Sequence, residues 1–470
     1  MTHTGLFIGG AWRDSGDGAT VDVENPATGE VLASVADATS ADGLAALTAA
    51  HEAQRQWAAT PARARGEILR AAFELLTERR EQFAALMTAE MGKPLAEARG
   101  EVAYGAEFFR WFAEEAVRTG GTWSPSPDGA TRLLTMRQPV GPALLVTPWN
   151  FPLAMGTRKI GAAVAAGCTM VVKPATQTPL TMLALAGLLG EAGLPAGVLN
   201  VVTTTRTAEL VEPLVRDPRT RKLSFTGSTP VGRLLMEQSA EQLLRLSLEL
   251  GGNAPFLVFG DADLDAAVDG AMAAKMRNTG QACTAANRFL VHKSVAAEFT
   301  ARFTDRMAAL RVGVDVGPLI DAAARSKVAA LVDDAVALGA KVLCGGSSVG
   351  DAGYFYAPTL LTDVPPEAEL NRQEIFGPVA PIATFTDEDE AVARAGDTEF
   401  GLVAYVFTRE LSRAVRVSEA LQTGMVGVNQ GVVSHPAAPF GGVKASGFGR
   451  EGGAEGINEY LQTKYVGLAI

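Results

Sequence analysis

Residues 142–176 read PALLVTPWNFPLAMGTRKIGAAVAAGCTMVVKPAT, and this stretch determines the fold class of the chain. Short apolar runs at 142–147 and 169–173 enclose a stretch near 154–166 that has the composition of a helix. A strand, a helix and a second strand in this order form a βαβ unit, and its two strands pair in parallel because the helix carries the chain back. The segment therefore predicts a parallel sheet that is covered by helices.

The same alternation continues along the chain in two series. The next helix is predicted near 179–192, and helical stretches separate most of the later strand-like runs. The first series of runs comprises 142–147, 169–173, 198–202, 222–226 and 245–250, and the second comprises 255–259, 289–292, 341–344, 381–385, 403–407 and 425–429. The pattern predicts an α/β protein with two tandem doubly wound domains.

Segments outside these series complete the predicted organisation. Val21–Val35 has two alternating runs around a glycine-bearing turn, which predicts a hairpin, and residues 41–119 have the periodicity of several helices. The β-like stretches at 119–139 and at the C-terminus are either surface hairpins or extensions that pair with another subunit. The predicted division is a first domain of residues 1–118 and 140–249, a second domain of residues 250–430, and bridging β elements at 119–139 and 450–470.

Length and composition restrict the class of protein. A chain of 470 residues exceeds the size at which one hydrophobic core keeps growing, so we expect two or three domains. Its 47% of hydrophobic and 20% of charged residues are typical of a globular protein. The net charge of −11 argues against partners such as nucleic acid or a membrane surface. Neither a membrane-spanning run nor a signal peptide is recognisable, so we expect a soluble cytoplasmic protein.

One of the three cysteines is a candidate nucleophile. All three lie far apart, which does not suggest a disulfide framework and fits a reducing compartment. Cys168 and Cys344 border strand-like apolar runs, where a cysteine is usually a small buried hydrophobe. Cys283 lies in the small, polar stretch RNTGQACTAANR (277–288), and a helix is predicted just after it. The N-terminus of a helix favours the thiolate, which is the nucleophilic form of cysteine.

Polar residues at the ends of predicted strands are further candidates. Glu249 either points to solvent or is enclosed, and enclosure would raise its pKa toward that of a general base. Asn150 follows the run at 142–147, so its amide either donates to an oxyanion or belongs to a proline-bounded turn. The amides of FTGSTPVGR (225–233) could face a pyrophosphate, although the segment has no dinucleotide or Walker A fingerprint. The four histidines lack metal-ligand spacing, so no metal site is predicted.

Seven segments together resemble the aldehyde dehydrogenase family, and they follow the family's order across most of the chain. They are TPWNFP (147–152), VVKPA (171–175), FTGST (225–229), LELGGNAPF (248–256), NTGQACTAANR (278–288), EIFGPV (374–379) and PFGGVKASGFGREGG (439–453). The resemblance implies a Rossmann-like cofactor domain, a catalytic domain and a small bridging β element for oligomerisation. It also implies a homodimer or homotetramer that oxidises an aldehyde with NAD or NADP.

The matching positions imply roles for individual residues. Cys283 is the expected nucleophile, Glu249 is the base that activates water, and Asn150 with the N–H of Cys283 forms the oxyanion hole. Lys173 is expected at the adenosine ribose, Gly227 and Ser228 near the pyrophosphate, and Glu374 with Phe376 around the nicotinamide and its ribose. The full set expected at the cofactor is Thr147, Pro148, Trp149, Lys173, Thr176, Gly227, Ser228, Glu374 and Phe376.

Within the family the chain is most similar to succinate-semialdehyde dehydrogenases. That likeness is carried by MEQ (236–238), LELGGNAPFLVFGDADLD (248–265), DTEFGLVAYVF (397–407) and KASGFGREG (444–452). In that subfamily two arginines and a serine hold the distal carboxylate of the substrate, and the matching positions are Arg158, Arg277 and Ser434. Arginine suits this task because its guanidinium donates bidentately to a carboxylate, although both arginines could instead form structural salt bridges. The expected reaction is oxidation of succinate semialdehyde to succinate through a thiohemiacetal and a thioester on Cys283.

Three departures from the family pattern affect the details. Thr176 stands where many members have a glutamate that repels a 2′-phosphate, so we expect NADP to be accepted or preferred. Ala285 stands where the subfamily often has a second cysteine, so no disulfide switch is expected. The loop at 311–320 is shorter than usual, and His435 with Pro436 follows Ser434. The substrate therefore stays open between succinate semialdehyde, glutarate semialdehyde and a generic aliphatic aldehyde.

Two functions of other classes compete with this interpretation. A cofactor-independent cysteine hydrolase needs a histidine oriented on Cys283, and the sequence excludes neither His292 nor His435. Such a hydrolase leaves most of the matching segments unexplained. A non-catalytic protein on the same fold is disfavoured because Cys283 and Glu249 are both present.

Overall fold

The computed structural model describes residues 3–469, so the outer ends of the predicted segments 1–118 and 450–470 lie outside the described residues. The strands in chain order are β1 (Leu6–Ile8), β2 (Ala11–Arg13), β3 (Thr20–Glu24), β4 (Val31–Ala36), β5 (Trp123–Pro125), β6 (Thr131–Pro139), β7 (Ala143–Val146), β8 (Met170–Lys173), β9 (Leu199–Val201), β10 (Lys222–Thr226), β11 (Arg245–Glu249), β12 (Ala254–Val258), β13 (Ala286–His292), β14 (Lys341–Cys344), β15 (Thr359–Thr362), β16 (Val379–Phe385), β17 (Phe400–Gly401), β18 (Val403–Phe407), β19 (Met425–Val428), β20 (Val443–Lys444), β21 (Gly447–Phe448) and β22 (Leu461–Ala469).

Helices fill most of the connections between these strands. They are α1 (Ser40–Ala59), α2 (Ala62–Glu78), α3 (Arg80–Met91), α4 (Leu95–Glu115), α5 (Ala154–Ala166), α6 (Leu180–Glu191), α7 (Thr207–Arg216), α8 (Thr229–Ser239), α9 (Leu264–Met276), α10 (Ala296–Ala308), α11 (Ala322–Ala337), α12 (Glu388–Gly396), α13 (Leu411–Ala420) and α14 (Gly453–Asn458), with short 3₁₀ turns at Ala116–Arg118, Arg277–Gly280 and Glu369–Asn371. Within residues 3–469, no helix combines the length and the apolar composition that a membrane crossing requires.

The first sheet has the strand order β2-β1-β9-β8-β7-β10-β11-β21. Its five central strands pair in parallel and coincide with the five predicted runs of the first series. From β7 the chain first proceeds through β8 to β9 on one side and then returns to β10 and β11 on the other side. This reversal creates a switch point between β7 and β10, the place where open α/β sheets bind ligands.

The second sheet has the order β14-β15-β16-β13-β12-β18-β19 and contains all six predicted runs of the second series. The tandem α/β architecture predicted from the sequence is thereby confirmed. The strand β15 was not predicted, because its four residues carry no usable periodicity. At the other sheet, β1 and β2 add antiparallel strands to one edge, and β21 adds one beside β11 at the other edge. The prediction had left residues 431–449, which include β21, outside both domains.

Two smaller sheets account for the predicted β elements. The hairpin at 21–35 is confirmed by the antiparallel pair β3 and β4. The strand β6 pairs with β5 on one side and with β22 on the other, from Leu461 opposite Pro139 to Ala469 opposite Thr131. The segment at 119–139 and the C-terminal run therefore form one three-stranded sheet within the chain, and neither is an isolated surface hairpin. The division into domains and a role of this sheet in oligomerisation remain predictions.

Helices α4 and α5 pack closely on the first sheet, and this contact positions the cleft described below. A Cβ atom at Gly105 of α4 would lie 3.3 Å from the Thr157 hydroxyl oxygen and 3.4 Å from the Cα of Ala154 on α5. These contacts are tighter than ordinary van der Waals packing, so glycine at this position favours the close approach of the two helices. Further along α4, the side chains of Phe108, Phe109 and Phe112 are completely buried in the same core.

Candidate active site

A cleft of about 320 Å³ opens at the carboxyl edge of the first sheet, where loops of the second α/β unit cover it. Twelve of the predicted site residues line it, namely Pro148, Trp149, Asn150, Arg158, Gly227, Ser228, Glu249, Arg277, Cys283, Glu374, Phe376 and Ser434. The other three, Thr147, Lys173 and Thr176, do not line the cleft. Lys173 ends β8 opposite Val146 of β7, so it belongs to the same edge of the sheet.

The loop that carries Cys283 is backbone-strained and firmly held. Asn278 and Thr279 adopt left-handed φ angles of 54° and 59°, and such conformations cost roughly 1–3 kcal/mol each for residues other than glycine. The N–H of Asn278 donates to the Glu97 carboxylate over 2.6 Å, and the Gln281 amide donates to the carbonyl of Pro318 over 3.1 Å. Because the surrounding structure enforces this shape, the position of Cys283 is fixed before any ligand binds.

The helix predicted to follow Cys283 is absent, and that prediction is wrong. The chain enters β13 at Ala286, which lies opposite Ala254 of β12 in a parallel pair. The alanines at 285–286 suggested a helix, but the following residues 287–292 are taken into the sheet. Cys283 therefore gains no helix dipole. Burial raises the pKa of its thiol to about 12, although the Arg158 guanidinium opposes this change.

Asn150 has the features of an oxyanion donor. It is 5% exposed, and its amide nitrogen donates to the carbonyl of Gln281 over 2.9 Å, which leaves a second amide N–H. Its backbone carbonyl accepts from the Lys93 ammonium over 2.8 Å and from the Asn278 amide over 2.9 Å. The N–H of Cys283 has no hydrogen-bond acceptor among residues 3–469, so both predicted oxyanion donors remain available.

A buried ion pair that the sequence reasoning missed supports this arrangement. The side chains of Lys93 and Glu101 form a salt bridge and are each 1% exposed. The second oxygen of Glu101 accepts the N–H groups of Leu153 and Ala154, over 3.0 and 3.1 Å, at the start of α5. The sequence does carry one signal for it, because Glu101 lies on the apolar stripe of α4 and a charge there needs a partner.

Glu249 is enclosed, so the alternative that it points to solvent is excluded. It ends β11, is 2% exposed, and neither of its carboxylate oxygens has a hydrogen-bond partner among the described residues. Burial raises the pKa of Glu249 well above its usual range, and the neighbouring Glu451 carboxylate raises it further. Glu451 is itself buried but forms ion pairs with Arg158 and Lys159, and these cations hold its pKa below the usual range.

The two predicted substrate arginines differ in their partners. Arg158 forms an ion pair with Glu451, so the alternative of a structural salt bridge is correct for this residue. Its Nη2 atom has no hydrogen-bond partner among the described residues. Arg277 has no carboxylate within salt-bridge distance in residues 3–469, and its guanidinium lies 5.0 Å from the centre of the Phe151 ring. With Ser434, these arginines give one wall of the cleft an excess of hydrogen-bond donors.

The residues at the carboxyl edge of the first sheet fit a dinucleotide. Lys173 is 5% exposed, its ammonium has no hydrogen-bond partner among residues 3–469, and burial lowers the pKa of that ammonium to about 8. Ser228 is the N-cap of α8, and the N–H groups of Thr229 and Val231 in its first turn are available to a phosphate, whereas Pro230 has none. The buried carboxylate of Glu374 accepts from the N–H of Gly252 over 3.2 Å, and burial raises its pKa to about 7.

Aromatic side chains complete this part of the cleft. Phe376 has a left-handed φ of 57° and packs edge-on against Trp149, with ring centres 5.4 Å apart. A bulky residue in this conformation is held by its surroundings and commonly marks a functional position. The Thr176 hydroxyl donates to the carbonyl of Thr204 over 2.8 Å, so it places no negative charge near Lys173.

Histidines do not assist Cys283. His292 contacts the Ser294 hydroxyl and the carbonyl of Thr386, and neither His292 nor His435 lines the cleft. The cysteine hydrolase considered above therefore lacks the base that it needs. Within the described part of the chain, no group of three or more His, Cys, Asp or Glu side chains is placed to hold a metal ion.

A cysteine and an enclosed carboxylate beside a dinucleotide cleft define the class, an oxidoreductase that holds its substrate covalently during hydride transfer. The model of the aldehyde dehydrogenase family matches residues 12–466. The chain belongs to the aldehyde dehydrogenase family.

Individual relatives agree with this assignment. The chain is 59% identical to a succinate-semialdehyde dehydrogenase of Paenarthrobacter nicotinovorans over 93% of this chain and 99% of the relative. It is 50% identical to a glutarate-semialdehyde dehydrogenase of Pseudomonas putida KT2440 over 99% of this chain and 97% of that protein. A crystal structure described as an E. coli NADP dependent enzyme superposes with a TM-score of 0.98 at 49% identity, covering 100% of this chain and 98% of the other.

The protonated state of Cys283 leads to a first prediction. We expect iodoacetamide to inactivate the ligand-free enzyme slowly at neutral pH, because burial keeps the thiol protonated. The rate of inactivation should rise with pH throughout a series from about pH 6 to pH 10, since more thiolate forms as the pH approaches the raised pKa. Mass spectrometry should detect an iodoacetamide adduct on this cysteine in the wild type and none there in Cys283→Ala, which identifies Cys283 as the modified thiol. A rate that already reaches a plateau near pH 7 would contradict the raised pKa.

Proposed function

We propose that this chain oxidises succinate semialdehyde to succinate with NADP or NAD, through a covalent intermediate on Cys283. The observation that carries the substrate assignment is Arg277, which has no carboxylate partner yet lines the same cleft as Cys283. An arginine left without an acid in a partly enclosed cleft favours a substrate that brings its own carboxylate. The names of relatives at 59% and 50% identity, which refer to succinate and glutarate semialdehyde, support an aldehyde of this kind.

The first step is addition of the Cys283 sulfur to the aldehyde carbon. The thiol proton passes to water in the cleft as the C–S bond forms, and the carbonyl oxygen becomes an oxyanion. The free amide N–H of Asn150 and the N–H of Cys283 are the donors placed to stabilise that charge. Removal of one such donor typically costs a factor of about 10² to 10³ in rate.

The second stage converts the adduct to the acid. When bound, the dinucleotide supplies the acceptor for the hydride that leaves the adduct, and a thioester remains on Cys283. In our proposal Lys173, Ser228 and Glu374 hold the dinucleotide. Glu249 then takes a proton from water, the water oxygen attacks the thioester, and the carboxylic acid leaves as the Cys283 thiol is restored. Its raised pKa makes Glu249 a better base than an exposed glutamate.

Glutarate semialdehyde, which is one carbon longer, is the second candidate substrate. It carries the same aldehyde and the same distal carboxylate, and a relative with 50% identity bears its name. A generic aliphatic aldehyde fits less well, because it leaves Arg277 without an anionic partner.

We also propose that the enzyme is a cytoplasmic homodimer or homotetramer. Its three cysteines are free, which suits a reducing compartment. The three-stranded sheet of β5, β6 and β22 lies outside both large sheets and is the expected element of assembly. Sedimentation equilibrium of the full chain distinguishes a monomer from either oligomer.

The carboxylate assignment predicts a selective loss in Arg277→Met. This change keeps a long side chain but removes the cation, so kcat/KM for succinate semialdehyde should fall by about 100-fold. The value for butanal, which has the same carbon number and no charge, should change by no more than about threefold. Initial rates with both aldehydes measure this, and Arg306→Met, at an exposed arginine paired with Asp269, is the matched control. Equal losses on the two aldehydes would remove Arg277 from substrate binding.

The role proposed for Glu249 predicts that its substitution slows hydrolysis of the thioester but leaves hydride transfer intact. Glu249→Gln should still release about one equivalent of reduced cofactor per site in a rapid burst, while steady-state turnover falls by about 10² to 10⁴. Cys283→Ala, the matched control, should show neither burst nor turnover. In the wild type, turnover should rise with pH above the usual glutamate range, because the basic form appears only as the pH passes the raised pKa. Unimpaired turnover of Glu249→Gln would contradict the assignment.

The cofactor assignment predicts the effect of a charge at position 176. Thr176→Glu should lower kcat/KM for NADP by at least about tenfold, because its carboxylate repels a 2′-phosphate, and should leave NAD largely unaffected. Thr176→Gln has the same size without the charge and is the control. The wild type should use NADP at least as well as NAD. Equal effects of the two variants, or a wild type that rejects NADP, would overturn this hypothesis.

A further inference from the structure

Tyr104 lines the same cleft as Arg158, Arg277 and Ser434. It lies on α4 and is half-buried, and its ring packs edge-on against Phe108 with ring centres 5.0 Å apart. None of the steps described above uses it. A tyrosine in this place brings a neutral hydroxyl, which can both donate and accept, to a wall otherwise made of cationic donors.

The position of Tyr104 follows from the packing of α4 on α5. Glu101, one turn earlier on α4, binds the first amides of α5, and Gly105, the next residue, permits the close approach of the two helices. Arg158 belongs to the same α5. Tyr104 and Arg158 are thus placed relative to each other by two rigid helices, which is the kind of support that precise recognition requires.

The surroundings of Tyr104 keep its hydroxyl protonated. Ser434 and the guanidinium groups of Arg158 and Arg277 are the polar neighbours of this hydroxyl in the cleft. Burial raises the pKa of the Tyr104 phenol, and the positive charges of Arg158 and Arg277 only partly oppose this. At neutral pH the group is therefore a donor that carries no charge of its own.

The acceptor capacity of a carboxylate explains what such a donor can do. A carboxylate has about four acceptor sites on two oxygens, and one guanidinium fork fills two of them. Arg158 is already paired with Glu451, so Arg277 is the guanidinium fork on this wall that has no carboxylate partner in the described residues. The remaining acceptor sites require neutral donors, and Tyr104 and Ser434 are the hydroxyls available there.

We propose that the Tyr104 hydroxyl donates a hydrogen bond to the distal carboxylate of the substrate and is a specificity-determining residue of this enzyme. The inference rests on the proposed function, because it assumes a substrate with a distal carboxylate. Tyr104 binds the end of the substrate remote from the reacting carbon. It therefore distinguishes anionic from uncharged aldehydes without taking part in the chemical steps.

Tyr104→Phe tests this proposal because it removes the hydroxyl and keeps the ring. We expect kcat/KM for succinate semialdehyde to fall by about tenfold, mainly through a higher KM, since a hydrogen bond to a charged group is lost. The value for butanal should stay within about twofold. The inhibition constant of succinate should rise by a similar factor of about ten, which reports binding separately from the chemical steps.

Controls separate this proposal from the function on which it rests. The ratio of the rates with the two aldehydes, measured on one sample, cancels any misfolded fraction of the variant. Tyr354→Phe, at a hydroxyl bonded to Glu24 and outside the cleft, should change neither rate. A wild type that shows no preference for succinate semialdehyde over butanal overturns the proposed function itself. A wild type with that preference, together with a Tyr104→Phe variant of unchanged selectivity and unchanged succinate inhibition, overturns only the role of Tyr104.

Discussion

The buried ion pair between Lys93 and Glu101 is the interaction on which the geometry of the active site depends. Two charges so fully removed from water are tolerated only when each has further hydrogen-bond partners. Here the Lys93 ammonium also binds the carbonyl of Asn150, and the Glu101 carboxylate also binds the amides at the start of α5. One electrostatic requirement therefore fixes the helix that carries Arg158 and the loop that carries Asn150 relative to each other.

Electrostatics also explains how two buried glutamates, Glu249 at the end of β11 and Glu451 shortly after β21, take opposite ionisation states. Glu451 is surrounded by Arg158 and Lys159, so it stays ionised, whereas Glu249 has no hydrogen-bond partner among the described residues and its pKa rises. Ionisation of Glu451 further disfavours ionisation of Glu249, because like charges repel in a medium of low dielectric constant. Arg158 takes part in both effects, since it forms an ion pair with Glu451 and also opposes the rise in the pKa of Glu249. The two ends of the site are thus electrostatically linked through one side chain.

Much of this fold is predictable from periodicity, and its exceptions have physical reasons. Every parallel strand of the two large sheets except β15 is predicted from a short apolar run, and the two-residue strands β17, β20 and β21 are missed because they are too short to show a pattern. Positions at the ends of predicted strands made Glu249 and Asn150 candidates, a polar turn made Cys283 one, and the resemblance to the family assigned their roles. Lys93 and Tyr104 were missed because burial and long-range contacts leave no local signature in the sequence, and the only signal for Glu101 is its place on the apolar stripe of α4. The helix expected after Cys283 failed because the sheet overrode a weak local propensity, which tertiary context commonly does.

The raised pKa of Cys283 affects both the oxidation of the resting enzyme and the timing of proton loss during the reaction. A helix dipole would have favoured the thiolate, which is the form that attacks peroxide and disulfides and is thereby oxidised. Burial raises the pKa of the Cys283 thiol, and Ala285, two residues further on, provides no neighbouring thiol. Oxidation of the resting enzyme is therefore disfavoured, because little thiolate is present at neutral pH. As a consequence, the Cys283 thiol must lose its proton during the addition step. The N–H donors of Asn150 and Cys283 therefore stabilise an oxyanion charge that forms only in that step. The loop that carries Cys283 is rigidly placed by its two left-handed residues, Asn278 and Thr279. This placement allows a thiol that is protonated at rest to act as the nucleophile.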